Sequence, residues 1–120
     1  MKYMILLYGH PSVEPQYGTP AFDAMMAGFG AASAKLAADG VLHSGEGLQG
    51  VETATTLRLR GGKFETMDGP FAETKEHLGG YYVIDVPDLD AALRYAELMP
   101  VAEWGSVEVR PLMDYNPAGN

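Results

Sequence analysis

The sequence predicts an α+β fold from three features. Apolar strand patterns lie near both ends of the chain, each of two helical patterns lies between strand patterns, and a Gly-Gly pair joins two alternating runs in the middle. The order is strand-helix-strand, a hairpin insertion, then strand-helix-strand. Two such units in 120 residues point to a ferredoxin-like sandwich with both helices on one sheet face. A chain of this length is a single domain, placed at residues 1–112 with a tail at 113–120, and buries roughly two-thirds of its unfolded surface.

Each element has its own signal. Lys2 to Tyr8 is apolar at both alternating positions, as in a central strand. Pro11, Pro15 and Gly18 mark a loop. Thr19 then offers a cap, Pro20 suits the first helical position, and Phe22, Met25, Met26, Phe29 and Leu36 recur at helical spacing. Gly28 and Gly30 weaken that helix, by about 1 kcal/mol each, and imply close approach of another backbone. Gly40 ends it.

Val41 to Ser44 reads as a second strand running into a flexible or tightly turned Gly45-Glu46-Gly47-Leu48-Gln49-Gly50. The runs flanking Gly61-Gly62 read as a hairpin. With a two-residue loop, Leu59 faces Phe64 and Arg58 faces Glu65, which leaves one apolar and one charged face. Asp68 to Leu78 reads as a polar loop, and Tyr81 to Val86 as an aromatic and β-branched strand. Asp88 caps a second helix with Leu89, Ala92, Leu93, Ala96 and Met99 on one face, and Pro100 stops it. Ser106 to Arg110 is a final strand whose Pro111 suits an edge or an end.

Two helices cover only one face of such a sheet, yet the first strand and Tyr81 to Ile84 are apolar on both sides. A second copy of the chain is the expected cover, so a homodimer is predicted.

Composition narrows the function. Eight Lys and Arg against sixteen Asp and Glu give a net charge of −8, which opposes nucleic-acid binding. Hydrophobic residues at 47% and charged residues at 20% describe a folded rather than a disordered chain. With no cysteine, thiol chemistry and thiolate metal sites are excluded. No strand–glycine fingerprint–helix pattern marks a flavin or nicotinamide site, and no cofactor is predicted. The apolar run at Tyr3 to Tyr8 is too short for a signal segment or a membrane span, so a cytoplasmic protein without membrane contact is the expectation.

The densest polar segment is Asp68-Gly69-Pro70-Phe71-Ala72-Glu73-Thr74-Lys75-Glu76-His77. Asp68 suits either an Asx-turn or a pocket rim. Glu46 sits between two glycines that let a carboxylate approach a ligand closely. Asp68, Glu46 and His43 are the candidate catalytic residues, and His10, Phe71, Glu73 and Lys75 the candidate cleft residues. Glu46, Asp68, Glu73, Glu76 and His77 include metal-ligating types but match no ligand spacing, so no metal is predicted.

Asp68-Gly69-Pro70-Phe71, continued by Ala72-Glu73-Thr74-Lys75-Glu76 and Gly79-Gly80-Tyr81-Tyr82, resembles the signature of the DGPF group of YCII-related proteins. Met1 to Met4, Gly45 to Leu48, Asp88 to Asp90 and Gly105 to Pro111 extend the resemblance over residues 1–112. It implies a dimeric α+β barrel with a cleft beside each sheet, and relatives encoded beside extracytoplasmic-function sigma factors. The broader family carries a proposed His–Asp pair with its His on the first helix; Phe22 to Asp39 here contains no His. Two functions follow as expectations. One is a small-molecule enzyme in which Asp68 or Glu46 shuttles protons; the other is a non-catalytic binding or regulatory module acting with a sigma factor.

Overall fold

A computed structural model describes residues 1–115, so residues 116–120 of the predicted tail lie outside the described residues. The fold is α+β. Four antiparallel strands form an open sheet in the order β2-β5-β1-β6, and no closed barrel forms within the chain. The strands are β1 (Lys2–Gly9), β2 (Leu42–Gly47), β5 (His77–Asp85) and β6 (Ser106–Pro111). A separate hairpin holds β3 (Thr55–Arg60) and β4 (Lys63–Asp68). The helices are α1 (Pro20–Ala38) and α2 (Leu89–Ala96).

α1 begins as its sequence dictates: Thr19 Oγ1 accepts the Phe22 backbone N–H at 3.1 Å, and Pro20 takes the first turn. It ends in a Schellman motif. Gly40, at φ +72°, donates its N–H to Ala37 O, and Val41 donates to Leu36 O. Asp88 Oδ1 caps α2 by accepting the Ala91 N–H at 2.9 Å.

Both helices pack on the face of the sheet that carries Tyr3, Ile5 and Leu7. Ile5, Leu36, Ile84 and Met99 are fully buried there. β1 is central, as its two-sided apolar pattern requires, and Pro111 closes the edge strand β6. The other sheet face carries Met4, Leu6 and Tyr8 of β1 beside Val83 and Tyr81 of β5. Val83 is buried, the other four are half-buried, and neither helix reaches this face.

Several expectations need correction. Gly45 to Gly47 are not a turn: they continue β2 and pair with Tyr82, Tyr81 and Gly80. His77 and Leu78 are not loop residues but open β5 opposite Gly9 and Tyr8. On α2 the buried stripe is Ala91, Ala92 and Ala96, while Leu89 and Leu93 face outward. On α1, Met26 is exposed. Gly28 does meet a close neighbour, but it is the Pro100 ring rather than a backbone: a Cβ there would lie 2.7 Å from Pro100 Cγ. Nothing lies within 4 Å of the corresponding point at Gly30.

The hairpin register is as predicted. Leu59 pairs with Phe64 and Arg58 with Glu65, across Gly61 (φ +57°) and Gly62 (φ +79°), the two positive angles that a type I′ turn demands.

Candidate functional site

A cleft of about 530 Å³ opens between α1 and the sheet edge formed by β2 and β5. Its floor is made by subtraction. In this register Gly45, Gly47 and Gly80 share the helix-facing side with Tyr82. A Cβ on Gly45 would meet the Tyr82 ring at 2.7 Å, and one on Gly80 would meet Glu46 O at 2.8 Å. Gly47 has nothing within 4 Å of that point, so its missing side chain is empty space in the cleft. The walls are Leu7, Met25, Met26, Phe29 and Leu48.

Two hydroxyls meet in this apolar setting. Ser33 Oγ and Tyr82 Oη form a hydrogen bond of 2.6 Å that joins α1 to β5. Sequence reasoning missed this pair. The signal was Ser33 itself, four residues after Phe29 and three before Leu36, a polar residue on the apolar stripe of α1. Gly45 admits the Tyr82 ring beneath the helix.

The predicted site residues divide between different parts of the molecule. Glu46 borders the cleft through its backbone, but it pairs with Tyr81, so its exposed carboxylate belongs to the opposite, helix-free face of the sheet. His43 is exposed at the irregularity in β2 between Leu42 and Ser44, where the pairing with β5 shifts. Asp68 ends β4 on the other sheet, opposite Thr55, and is exposed. The segment after it folds back on the hairpin rather than onto Gly45 to Leu48. Gly69 donates its N–H to Ala54 O at 2.7 Å, Thr56 Oγ1 donates to Gly69 O at 2.8 Å, and Arg58 Nη2 donates to Phe71 O at 3.2 Å. Phe71, Glu73 and Lys75 are exposed.

His10 follows β1, with Ser12 Oγ 2.8 Å from its Nδ1. His77 Nε2 donates to Thr74 O at 3.1 Å, and Glu76 accepts from Ser106 Oγ at 2.9 Å, which fastens the end of the loop to β6. Among the described residues, no three His, Asp or Glu side chains gather as a metal site.

The shifted titrations lie outside the cleft. On the open sheet face, Tyr8 Oη donates to Glu108 Oε1 and Arg110 Nε donates to Glu108 Oε2, both at 3.1 Å. The Arg110 bond, then the Tyr8 bond, hold the Glu108 carboxyl below its usual range. Burial, then Glu108, push the Tyr8 hydroxyl up.

The family model of the YCII-related domain matches residues 1–116. An uncharacterized protein of Rhizobium meliloti strain 1021 is 40% identical over 119 residues, a match spanning 98% of this chain and 96% of that protein. No helix among the described residues is long and apolar enough to cross a membrane. On the family match and this relative together, the chain belongs to the YCII-related domain family.

Proposed function

We propose that the protein is a small-molecule-binding homodimer whose ligand occupies the cleft between α1 and the sheet. The observation that carries this reading is the glycine floor: Gly47 leaves open volume beside the Ser33–Tyr82 hydroxyl pair, under walls of Met, Phe and Leu. An apolar concavity with a few convergent polar groups is the usual form of a small-ligand site. The ligand is a small organic molecule, largely apolar, with one polar group for the hydroxyls.

The body is read as a ferredoxin-like sandwich, supported by its strand order, its antiparallel pairing and the placing of both helices on one face. The uncovered face with Met4, Leu6, Tyr8, Tyr81 and Val83 supports closure by a second copy into a dimeric α+β barrel.

The test is a thermal-shift screen of small organic molecules against the native chain and Gly47→Leu. The new side chain enters open space at a residue of ordinary negative φ, so folding is retained. Compounds that raise the melting temperature of the native chain should leave the variant unmoved. Hits that stabilise both equally would place the ligand elsewhere and end this reading.

A further inference from the structure

The hydrogens of the Ser33–Tyr82 pair can be counted. A serine and a tyrosine hydroxyl bring one each. Their mutual bond of 2.6 Å uses one of the two, whichever oxygen donates. Among the described residues, neither hydroxyl makes a second hydrogen bond. One hydrogen is therefore left over, on a pair of residues that both line the cleft. The backbone N–H and C=O groups of the floor do not compete with it. In a sheet they lie in the sheet plane, across the strands rather than up toward the helix. The Leu48 N–H, just past β2, is already given to Gly79 O at 2.8 Å.

The lining also decides on charge. Among the described residues, none that lines the cleft is Lys, Arg or His, and the Glu46 carboxylate lies across the sheet. An ion buried here would lose its hydration and find no opposite charge. The net charge of −8 opposes an anion further. An ammonium group carries hydrogens and no acceptor, so it would leave the hydrogen of the pair unanswered. A hydrocarbon would displace water from that hydrogen and leave it unanswered too. A carbonyl accepts it and brings no donor of its own. We propose that the cleft selects neutral carbonyl compounds. The C=O oxygen accepts the hydrogen that the Ser33–Tyr82 pair leaves over, and an apolar body lies over Gly47 against Met25, Phe29 and Leu48. This rests on the cleft reading above and adds the chemical class of its ligand. The thioethers of Met25 and Met26 suit an aromatic body, because sulfur packs favourably against a ring edge.

The test uses the full chain and four probes with one body: 2-acetylnaphthalene, 2-ethylnaphthalene, 1-(2-naphthyl)ethanol and 2-naphthoate. Affinities are measured by equilibrium dialysis for the native chain and for Ser33→Ala with Tyr82→Phe. That double variant removes both hydroxyls and leaves neither unpaired, so folding is retained. The affinity of the ketone relative to the hydrocarbon should fall about ten-fold in the double variant, the ratio for one hydrogen bond. The alcohol should lose no more than the ketone, and the native chain should bind naphthoate more weakly than the ketone. A measurement on the native chain needs no substitution: the infrared C=O band of the bound ketone should lie below its position in hexane. A ketone-to-hydrocarbon ratio that the double variant leaves unchanged, or a band at the hexane position, would overturn the carbonyl. The cleft reading would still stand if Gly47→Leu abolished binding. An alcohol that loses more than the ketone would show that the pair receives a hydrogen from the ligand, and naphthoate binding tightest would show that the site takes an anion; either would overturn the carbonyl class. Probes that all bind Gly47→Leu as well as the native chain, or none that binds the native chain at all, would overturn the cleft reading and the carbonyl together.

Discussion

Tyr95 on α2 donates its hydroxyl to Asp39 Oδ2 at 2.8 Å, tying the second helix to the residue that caps the first. Lys35 Nζ lies 3.1 Å from the same oxygen, one helical turn back. The Tyr95 bond first, then the Lys35 bond, hold the Asp39 carboxyl below its usual range. The N-terminal ammonium does the same for Asp85 at 2.9 Å, and Arg110 and Tyr8 for Glu108. A carboxyl whose pKa is lower in the folded state adds stability that is fully present above its unfolded value, near pH 4, and is lost as pH falls through the folded value. The native chain should therefore lose stability below about pH 4. Tyr95→Phe should lose less there, because Asp39 has surrendered the largest cause of its shift. Acid titration followed by circular dichroism reads both; identical acid profiles would show that the Tyr95–Asp39 bond does not couple to folding.

The hydroxyl side carries the opposite sign. Asp39 raises the Tyr95 pKa through their hydrogen bond, and burial, then Glu108, raises that of Tyr8. A raised folded value adds stability that is fully present below the unfolded value, about 10, and is lost as pH rises through the folded one. Absorbance titration of tyrosinate should show a late phase that shrinks in Tyr8→Phe and in Tyr95→Phe. An alkaline limb that neither substitution changes would contradict both contacts.

Gly28 and Gly30 are two residues apart on one helix and should respond to alanine with opposite signs. At Gly28 the new methyl meets the Pro100 ring at 2.7 Å, so Gly28→Ala should cost about 1–3 kcal/mol by overpacking. At Gly30 it meets nothing, so Gly30→Ala should gain about 0.5–1 kcal/mol from helix propensity. Urea unfolding of the two variants measures the difference.

Gly105 lies just before β6 with its Cα against the Tyr8 carbonyl, so closely that a Cβ could not fit between them. Tyr8 pairs with Ser106, the first residue of β6, and an obstructing methyl there would push the edge strand off β1. Gly105→Ala should destabilise by about 1–3 kcal/mol. Trp104, the sole tryptophan, is adjacent and gives the fluorescence signal. An unchanged unfolding midpoint would mean that the strand gives way at no cost.

These glycines mark the boundary of what the sequence made legible. Local chemistry was readable: the Thr19 and Asp88 caps, the Gly40 stop and the Gly61-Gly62 turn act through neighbours a few residues away. So was the β1 position, because its two-sided apolar pattern admits few alternatives. What failed depended on partners distant in the chain. Gly45-Glu46-Gly47 looked like a turn because its strand character comes from Gly80 to Tyr82. Leu89 and Leu93 were assigned to the core because hydrophobicity outweighed size, whereas close packing of α2 selects Ala91, Ala92 and Ala96. Of the site, the glycines flanking Glu46 were legible, but strand alternation turns the carboxylate between them to the other face. The Ser33–Tyr82 bond spans 49 residues and left only a single polar residue on an apolar stripe as its trace.

Glu46 and Asp68 were equal candidates in the sequence, and the structure separates them. Glu46 borders the cleft through its backbone, with its carbonyl against Gly80 and its side chain on the Tyr81 face of the sheet; Asp68 stands on the separate hairpin opposite Thr55. Removing each charge while keeping its shape therefore tests which of the two lies near the bound ligand. Two fluorescent probes of opposite charge, anionic anilinonaphthalene sulfonate and cationic thioflavin T, supply the sign. Glu46→Gln should strengthen the anion and weaken the cation by about two-fold each, the ratio expected for one charge roughly 10 Å away across the sheet in water. Asp68→Asn should move neither probe and should shift stability by no more than about 0.5 kcal/mol, as befits an exposed side chain. Probe binding that responds to Asp68 and ignores Glu46 would move the ligand to the hairpin. A response to both in the same direction would mean that the two carboxylates act only through the overall negative field of the chain, and raising the salt concentration would then abolish it.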